Sequence, residues 1–318
     1  MRFALLFVVL FSAAGLVAQV SESRIDPIPG DSLIVLAPGI EIPAVNPGYV
    51  LWLPEDRSVT GMVVFTRPRR ANEPTDDFIS YATENDLAVL YAHTHNRLEF
   101  LFDDAAMDML LGYIAEVCRL YDVPRDQLLY CGMSLEGTRA LKLAIRGAEL
   151  NGELHIGPQA IAICDAPLDF VRFHREATSA RDRSISEVAA NEGRWVSAHL
   201  EEKLGDPVED REAYVDYSPY CHAAYGGPHL TVFKDIAVRA YTEPDVLWWM
   251  ETRGKDYYGM NAVDAAGLIN ELHYLDNESA ELILTEDKGY LPDGSRHPHS
   301  WSIVDEEELI DWFLYLSE

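Results

Sequence analysis

Between residues 48 and 164, short and continuously apolar runs alternate with segments of helical periodicity, and few folds accept that pattern. Gly61-Met62-Val63-Val64-Phe65, Leu87 to Tyr91, Leu128 to Cys131 and Ala160 to Cys164 lack the polar alternation of a half-exposed strand. They read as strands buried on both faces. Between them, Thr75 to Glu84 places Phe78, Ile79 and Ala82 on one helical face behind a capping Thr75, and Asp103 to Tyr121 repeats Met107, Leu110, Leu111, Ile114 and Val117 before Pro124 stops it. Leu135 to Arg146 supplies a third helix. Strands alternating with helices of this length imply a parallel sheet covered on both sides. Ser32 to Leu36 and Gly48 to Pro54 read as earlier strands, and the rhythm resumes with a strand at Ile236 to Tyr241, a helix at Asn261 to Leu275, a strand at Leu282 to Leu284 and a helix at Glu306 to Leu316. Residues 170 to 230 interrupt it with polar, helix-rich sequence carrying Phe173, Trp195, Tyr214, Tyr217 and Tyr220, too long for a simple loop. The expected fold is α/β, a doubly wound and mostly parallel sheet in a single domain over 19–318, with a helical cap inserted at about 170–230.

The N-terminus reads differently. Arg2, the apolar core Phe3 to Phe11 and the small residues ending at Ala18 have the form of a secretory signal peptide over 1–18, which predicts a secreted or periplasmic protein with no membrane span once it is removed. The net charge of −28, from 53 acidic against 25 basic residues, repels phosphate backbones and anionic lipid, so nucleic acid and membrane surfaces are poor partners. The expected partner is a small-molecule or peptide substrate. Cys118, Cys131 and Cys164 fall in predicted core elements and read as buried thiols, not as a disulfide framework; Cys221 has no evident place. Glycine-rich phosphate loops are absent, and no cofactor is expected.

The most informative stretch is Leu128-Leu129-Tyr130-Cys131-Gly132-Met133-Ser134-Leu135-Glu136-Gly137. An apolar strand runs into Gly-x-Ser and a helix begins at once, a turn that lifts a serine above the sheet edge and leaves the Leu135 N–H at a helix start, where it can bind a developing oxyanion. Here the chain resembles the α/β-hydrolase superfamily of serine esterases, lipases and peptidases, over the strand–helix order from about residue 48 to the end. It departs from the elbow pattern at Glu136, which stands where Gly-x-Ser-x-Gly has its second glycine; Gly137 follows one residue later. Glu136 is therefore also a candidate substrate-facing group.

Acyl transfer by Ser134 needs a base and a carboxylate to orient it. The resemblance implies the chain order serine, acid, histidine. After the strand ending at Tyr241, Glu243 and Asp245 lie on the same sheet edge as the elbow. Asp245 matches the superfamily's usual offset best, with Glu243 and Asp165, past the preceding strand, as alternatives. For the base, His299 followed by Ser300-Trp301 is preferred over His297, because a small polar residue and a tryptophan follow the catalytic histidine in many secreted esterases.

The loop after Phe65 normally supplies a second oxyanion donor. Here it reads Arg67-Pro68-Arg69-Arg70, which makes Arg67 the candidate donor and Arg69 a candidate holder of an acidic substrate group. His93 and His95, past another strand, are candidates to line the pocket. Two His-x-His pairs make a metal conceivable, but no H-E-x-x-H spacing occurs and no metal is expected. The functional expectation is an esterase-like serine hydrolase, with a serine peptidase and a non-catalytic binding protein on the same fold as alternatives.

Overall fold

The computed structural model describes residues 20–55, 58–70 and 75–316. The predicted signal peptide, residues 1–18, lies outside them. Among the described residues no helix is long and apolar enough to cross a membrane.

The main sheet is built from β1 (Val20–Ile25), β4 (Gly48–Leu53), β5 (Gly61–Phe65), β6 (Leu87–His93), β7 (Leu128–Met133), β8 (Ala160–Cys164), β9 (Ala237–Thr242) and β10 (Ala280–Leu284), in the order β1-β4-β6-β5-β7-β8-β9-β10. β1 and β4 pair antiparallel, as do β4 and β6; every pairing from β6 through β10 is parallel. The strands β4, β5 and β8 are buried along their whole length, which is why they read as unbroken apolar runs; β9 is buried too but carries Arg239, paired with Glu281 and Glu308.

Helices α1 (Asp77–Glu84) and α9 (Glu306–Tyr315) cover one face around Phe65, Phe78, Ile79, Leu309 and Phe313. Helices α2 (Asp104–Leu120), α3 (Leu135–Glu149) and α8 (Ala262–Tyr274) cover the other around Leu111, Ile114, Leu141, Leu268 and Leu272. β5 leads through α1 to β6 on one side, whereas β7 leads through α3 to β8 on the other. The chain therefore diverges at the carboxyl ends of β5 and β7, and such a switch point opens a crevice above the sheet.

Between β8 and β9 lie α4 (Phe170–Arg183), α5 (Glu187–Leu204) and α6 (Arg211–Tyr217), which pack a separate aromatic cluster of Phe100, Phe170, Phe173, Tyr214 and Tyr217. The predicted strand at 32–36 is present as β2 (Leu33–Ala37), but it joins β3 (Ile40–Pro43) in a separate hairpin, not the main sheet. Asp76, not Thr75, caps α1, its carboxylate accepting the Ile79 N–H at 3.0 Å. A helix the sequence pattern does not announce, α7 (Val246–Arg253), follows β9. All four cysteines are buried and free.

On α3, Lys142 is buried; its ammonium donates to the Tyr217 carbonyl at 3.3 Å and sits 3.9 Å from that ring's centroid. Burial pushes its pKa down to about 8, from 10.5 in the unfolded chain. Below the lower value both states carry the charge and the folded state bears its full desolvation cost. Between the two values the unfolded lysine still holds a proton that the folded one has released, so unfolding takes up a proton and stability rises with pH. Lys142→Met should remove this rise, worth up to about 3 kcal/mol. Urea denaturation of both proteins at neutral pH and just below pH 10.5 reads the difference, and equal slopes would refute it.

Candidate active site

Strand β7 ends in a turn that places Ser134 at φ 54°, ψ −128°, a strained backbone for any residue with a side chain. Two interactions hold it there. The Ser134 N–H donates to the Cys164 carbonyl at the end of β8 (2.8 Å), and the Ser134 carbonyl accepts from Gly137 N–H (2.9 Å) as α3 begins. Gly137 explains how an elbow with Glu136 in it closes. A Cβ at 137 would stand 2.7 Å from the Ala166 side chain and 2.9 Å from the Gly132 carbonyl, so the contact that requires glycine falls one residue later than the common pattern. Glu136 occupies the first helical turn, where a carboxylate complements the helix dipole. Desolvation raises its pKa, opposed by Arg67 and Arg139.

One strand over, the same device repeats. The Asp165 N–H donates to the Tyr241 carbonyl at 2.8 Å, and Asp165 takes φ 45°. Its carboxylate is 6% exposed; Oδ1 accepts from Thr242 Oγ1 at 3.2 Å, and its backbone carbonyl accepts from Asn261 Nδ2 at 2.8 Å. Oδ2 meets His299 Nδ1 at 2.5 Å. That contact fixes the imidazole and leaves Nε2 as the nitrogen that can exchange a proton with a neighbour.

The carboxylate that meets His299 is Asp165, the alternative past β8, and not Asp245, which the offset favours. Asp245 caps α7, accepting the Trp248 N–H at 3.0 Å, and pairs with Arg296 at 2.9 Å. Glu243 is buried beneath the loop that carries the histidines, where Oε2 accepts from Thr285 Oγ1 (2.9 Å), Lys288 N–H (3.0 Å) and Gly289 N–H (3.1 Å). The two acids past β9 bind the histidine loop and not the histidine.

His297, the alternative base, bonds through Nδ1 to the His299 carbonyl at 2.7 Å and lies edge-on to Trp248, with Arg253 3.4 Å from Nε2. Burial lowers its pKa, with the His299 backbone contact opposing. It stiffens the loop beside His299. Trp301 anchors the far side, its Nε1–H donating to Glu306 at 2.7 Å and its ring meeting Phe65 edge-on.

On the opposite wall, Leu135 opens α3 directly after Ser134, and Arg67 follows β5. Arg67 lies over the Phe65 and Tyr91 rings, 4.0 Å from Glu136, with a partly exposed side chain. Arg139 ties this wall together from α3: its buried guanidinium donates to the carbonyls of Thr66 (2.7 Å), Arg97 (3.0 Å) and Glu99 (2.6 Å). Arg69 is engaged elsewhere, paired with Asp76 at 2.7 Å and stacked near Trp52 and Tyr91, which leaves little of it for a substrate anion. His93 sits at the end of β6 with Nδ1 against the Thr94 carbonyl, and burial lowers its pKa. His95 lines a cavity of about 290 Å³ shared with Glu99, Asp103 and His199, whose walls include none of Ser134, Asp165 and His299. The two His-x-His pairs do not converge: among the described residues no three His, Cys, Asp or Glu side chains group to hold a metal ion.

Thr242, Asn261, Arg139 and Arg296 are the supporting residues the sequence does not single out. Each acts across 40 or more positions of chain, so no local motif marks them.

No protein-family model matches the sequence, and no curated protein is recognisably similar to it. Solved structures are. The acylaminoacyl peptidase of Pyrococcus horikoshii superposes with a TM-score of 0.53 at 12% identity, over 97% of this chain and 43% of its own. A fungal esterase from Rhizomucor miehei gives 0.54 at 9% identity, over 94% and 83%. A truncated carbohydrate esterase from gut microbiota gives 0.55 at 13% identity, over 96% and 98%. The chain thus spans less than half the length of the peptidase and nearly all of the truncated form of the carbohydrate esterase. It has the α/β-hydrolase fold.

Proposed function

We propose that this chain is a serine hydrolase that cleaves a carboxylic ester through an acyl-serine intermediate. The observation that carries the reading is the 2.5 Å contact between Asp165 and His299, made at the same sheet edge as a serine held at positive φ. In the proposed reaction Ser134 Oγ attacks the ester carbonyl and His299 Nε2 takes its proton. The tetrahedral oxyanion accepts from Leu135 N–H and from a donor in the loop at Arg67. His299 then returns the proton to the leaving alcohol, and a water activated by the same imidazole releases the acid. The step from Ser134 to His299 is what the proposal adds to the observed Asp165–His299 pair. Ester cleavage is favoured over peptide cleavage because the esterases match this chain over most of both lengths, whereas the peptidase carries more than twice as much chain. The apolar stretch at residues 3–11 supports export as the setting in which it works.

A fluorophosphonate probe should label the folded protein, and Ser134→Ala should abolish the labelling. Folded protein that stays unlabelled, or labelling that survives in Ser134→Ala, overturns the reading. A screen of esters across acyl chain lengths, with the same variant as control, then defines the substrate.

A further inference from the structure

The geometry points to Glu243, Arg296 and Asp245 as a clamp that positions the base: two carboxylates at the end of β9, bridged by one guanidinium, set the loop that presents His299. The inference rests on the reading of His299 as the base. It assigns a task to the position where the superfamily's acid was expected.

Between Thr285 and Arg296, before the stretch that Trp301 anchors, the loop has little apolar anchorage of its own. Leu291 is partly exposed, as is Tyr290, and residues 291–295 are held mainly to one another. Its root is polar. Glu243 is 3% exposed, and a single oxygen of it gathers Thr285 Oγ1 and the N–H groups of Lys288 and Gly289. Its other oxygen forms an ion pair with Arg296. Arg296 reaches back across the loop, donating through Nη1 to the Gly289 carbonyl at 2.7 Å and through Nη2 to Asp245 at 2.9 Å. The His297 N–H donates to the same Gly289 carbonyl at 2.9 Å. Outgoing and returning arms are thus pinned to each other and to β9 three residues before His299.

Gly289 reports how close the arms run. A Cβ there would stand 2.6 Å from Pro298 Cα and 2.8 Å from the His297 carbonyl. A planar, two-sided donor suits this place, because a guanidinium can engage two carboxylates and a carbonyl at once; an ammonium presents a single point. None of the three clamp residues touches the imidazole in the described contacts, so they act through the loop. A base displaced by an ångström loses rate steeply, which is why its support matters.

The test separates the clamp from the chemistry. The proton between His299 Nδ1 and Asp165 should give a far-downfield resonance that needs no substrate, and the probe reports Ser134 independently. In full-length Arg296→Met, which keeps the stem and removes the charge, the resonance should broaden or vanish while circular dichroism stays that of the folded wild type, with an unfolding midpoint lowered because buried Glu243 loses its counter-charge. Probe labelling and ester kcat should fall roughly tenfold to a hundredfold with KM little changed. Arg296→Lys should recover part of the loss. If Arg296→Met does not fold, Glu243→Gln, which retains the accepting oxygen and removes the charge, takes the same readouts. A sharp, unshifted resonance with wild-type labelling in a folded clamp variant overturns the inference. A wild-type resonance that the variant loses, in a protein the probe never labels, upholds the clamp and sinks the hydrolase reading instead.

Discussion

Asp165→Asn should lower ester turnover by roughly 10⁴-fold, the scale seen when a triad carboxylate becomes an amide. An asparagine can present its N–H₂ to His299 Nδ1 and so favour the tautomer whose proton sits on Nε2, where it cannot accept one from Ser134. Even with its oxygen turned inward, the amide carries no charge to stabilise the imidazolium. Asp165 is nearly buried and is held by Thr242 and Asn261, so the neighbouring acids cannot swing in to replace it. Asp245→Asn should cost much less, within about tenfold, since it weakens one arm of the Arg296 clamp and leaves the Asp165–His299 contact intact. Steady-state kinetics of the two variants on one ester decide the matter. A crippled Asp245→Asn beside an active Asp165→Asn would return the acid to the end of β9.

The second large effect is on stability. Arg172, at the start of α4, and Asp264, in α8, form a doubly bonded pair at 2.5 and 2.6 Å, with side chains 8% and 2% exposed. Asp264 also accepts the N–H groups of Leu168 and Asp169, and Arg172 donates to Asn261. Asp264→Ala strands a guanidinium and two amides in the interior and should cost about 3–5 kcal/mol, read as a fall in the urea midpoint. Replacing both partners by apolar residues of similar volume should recover most of that loss, because the desolvation cost leaves with the charges. A single variant within 1 kcal/mol of wild type would show that water reaches the pair. Activity should follow stability here, since Asn261, three residues before Asp264, also supports Asp165.

Most of the sheet was legible because burial on both faces erases polar alternation: β5, β6, β7 and β8 stand out as apolar blocks with helices between. β1 was not, since its Val-Ser-Glu-Ser-Arg-Ile sequence is that of an edge strand with one neighbour, lying just past the apolar N-terminus. α7 hid behind Pro244, and its start depends on Asp245 serving as a cap. The sharp turn at Ser134 and the place of His299 in its loop could be read from what adjoins them. The acid could not. Asp165 and Asp245 each follow a strand closely, and the choice between them is made by partners far off in sequence: His299, 134 positions from Asp165, and Arg296, 51 from Asp245. The pairing of Arg69 with Asp76 was hidden for a similar reason, being a matter of loop folding and not of composition.

The Ser134 N–H bonds the Cys164 carbonyl and Asp165 is the next residue along, so the two sit against adjoining residues at one tip of β8, which the Asp165–Tyr241 link ties to β9. A twist of the sheet should therefore carry both residues on the same short piece of backbone, while His299 arrives on a separate loop pinned to β9. Pressure or a bulkier side chain beneath that tip should accordingly shift Ser134 and Asp165 together.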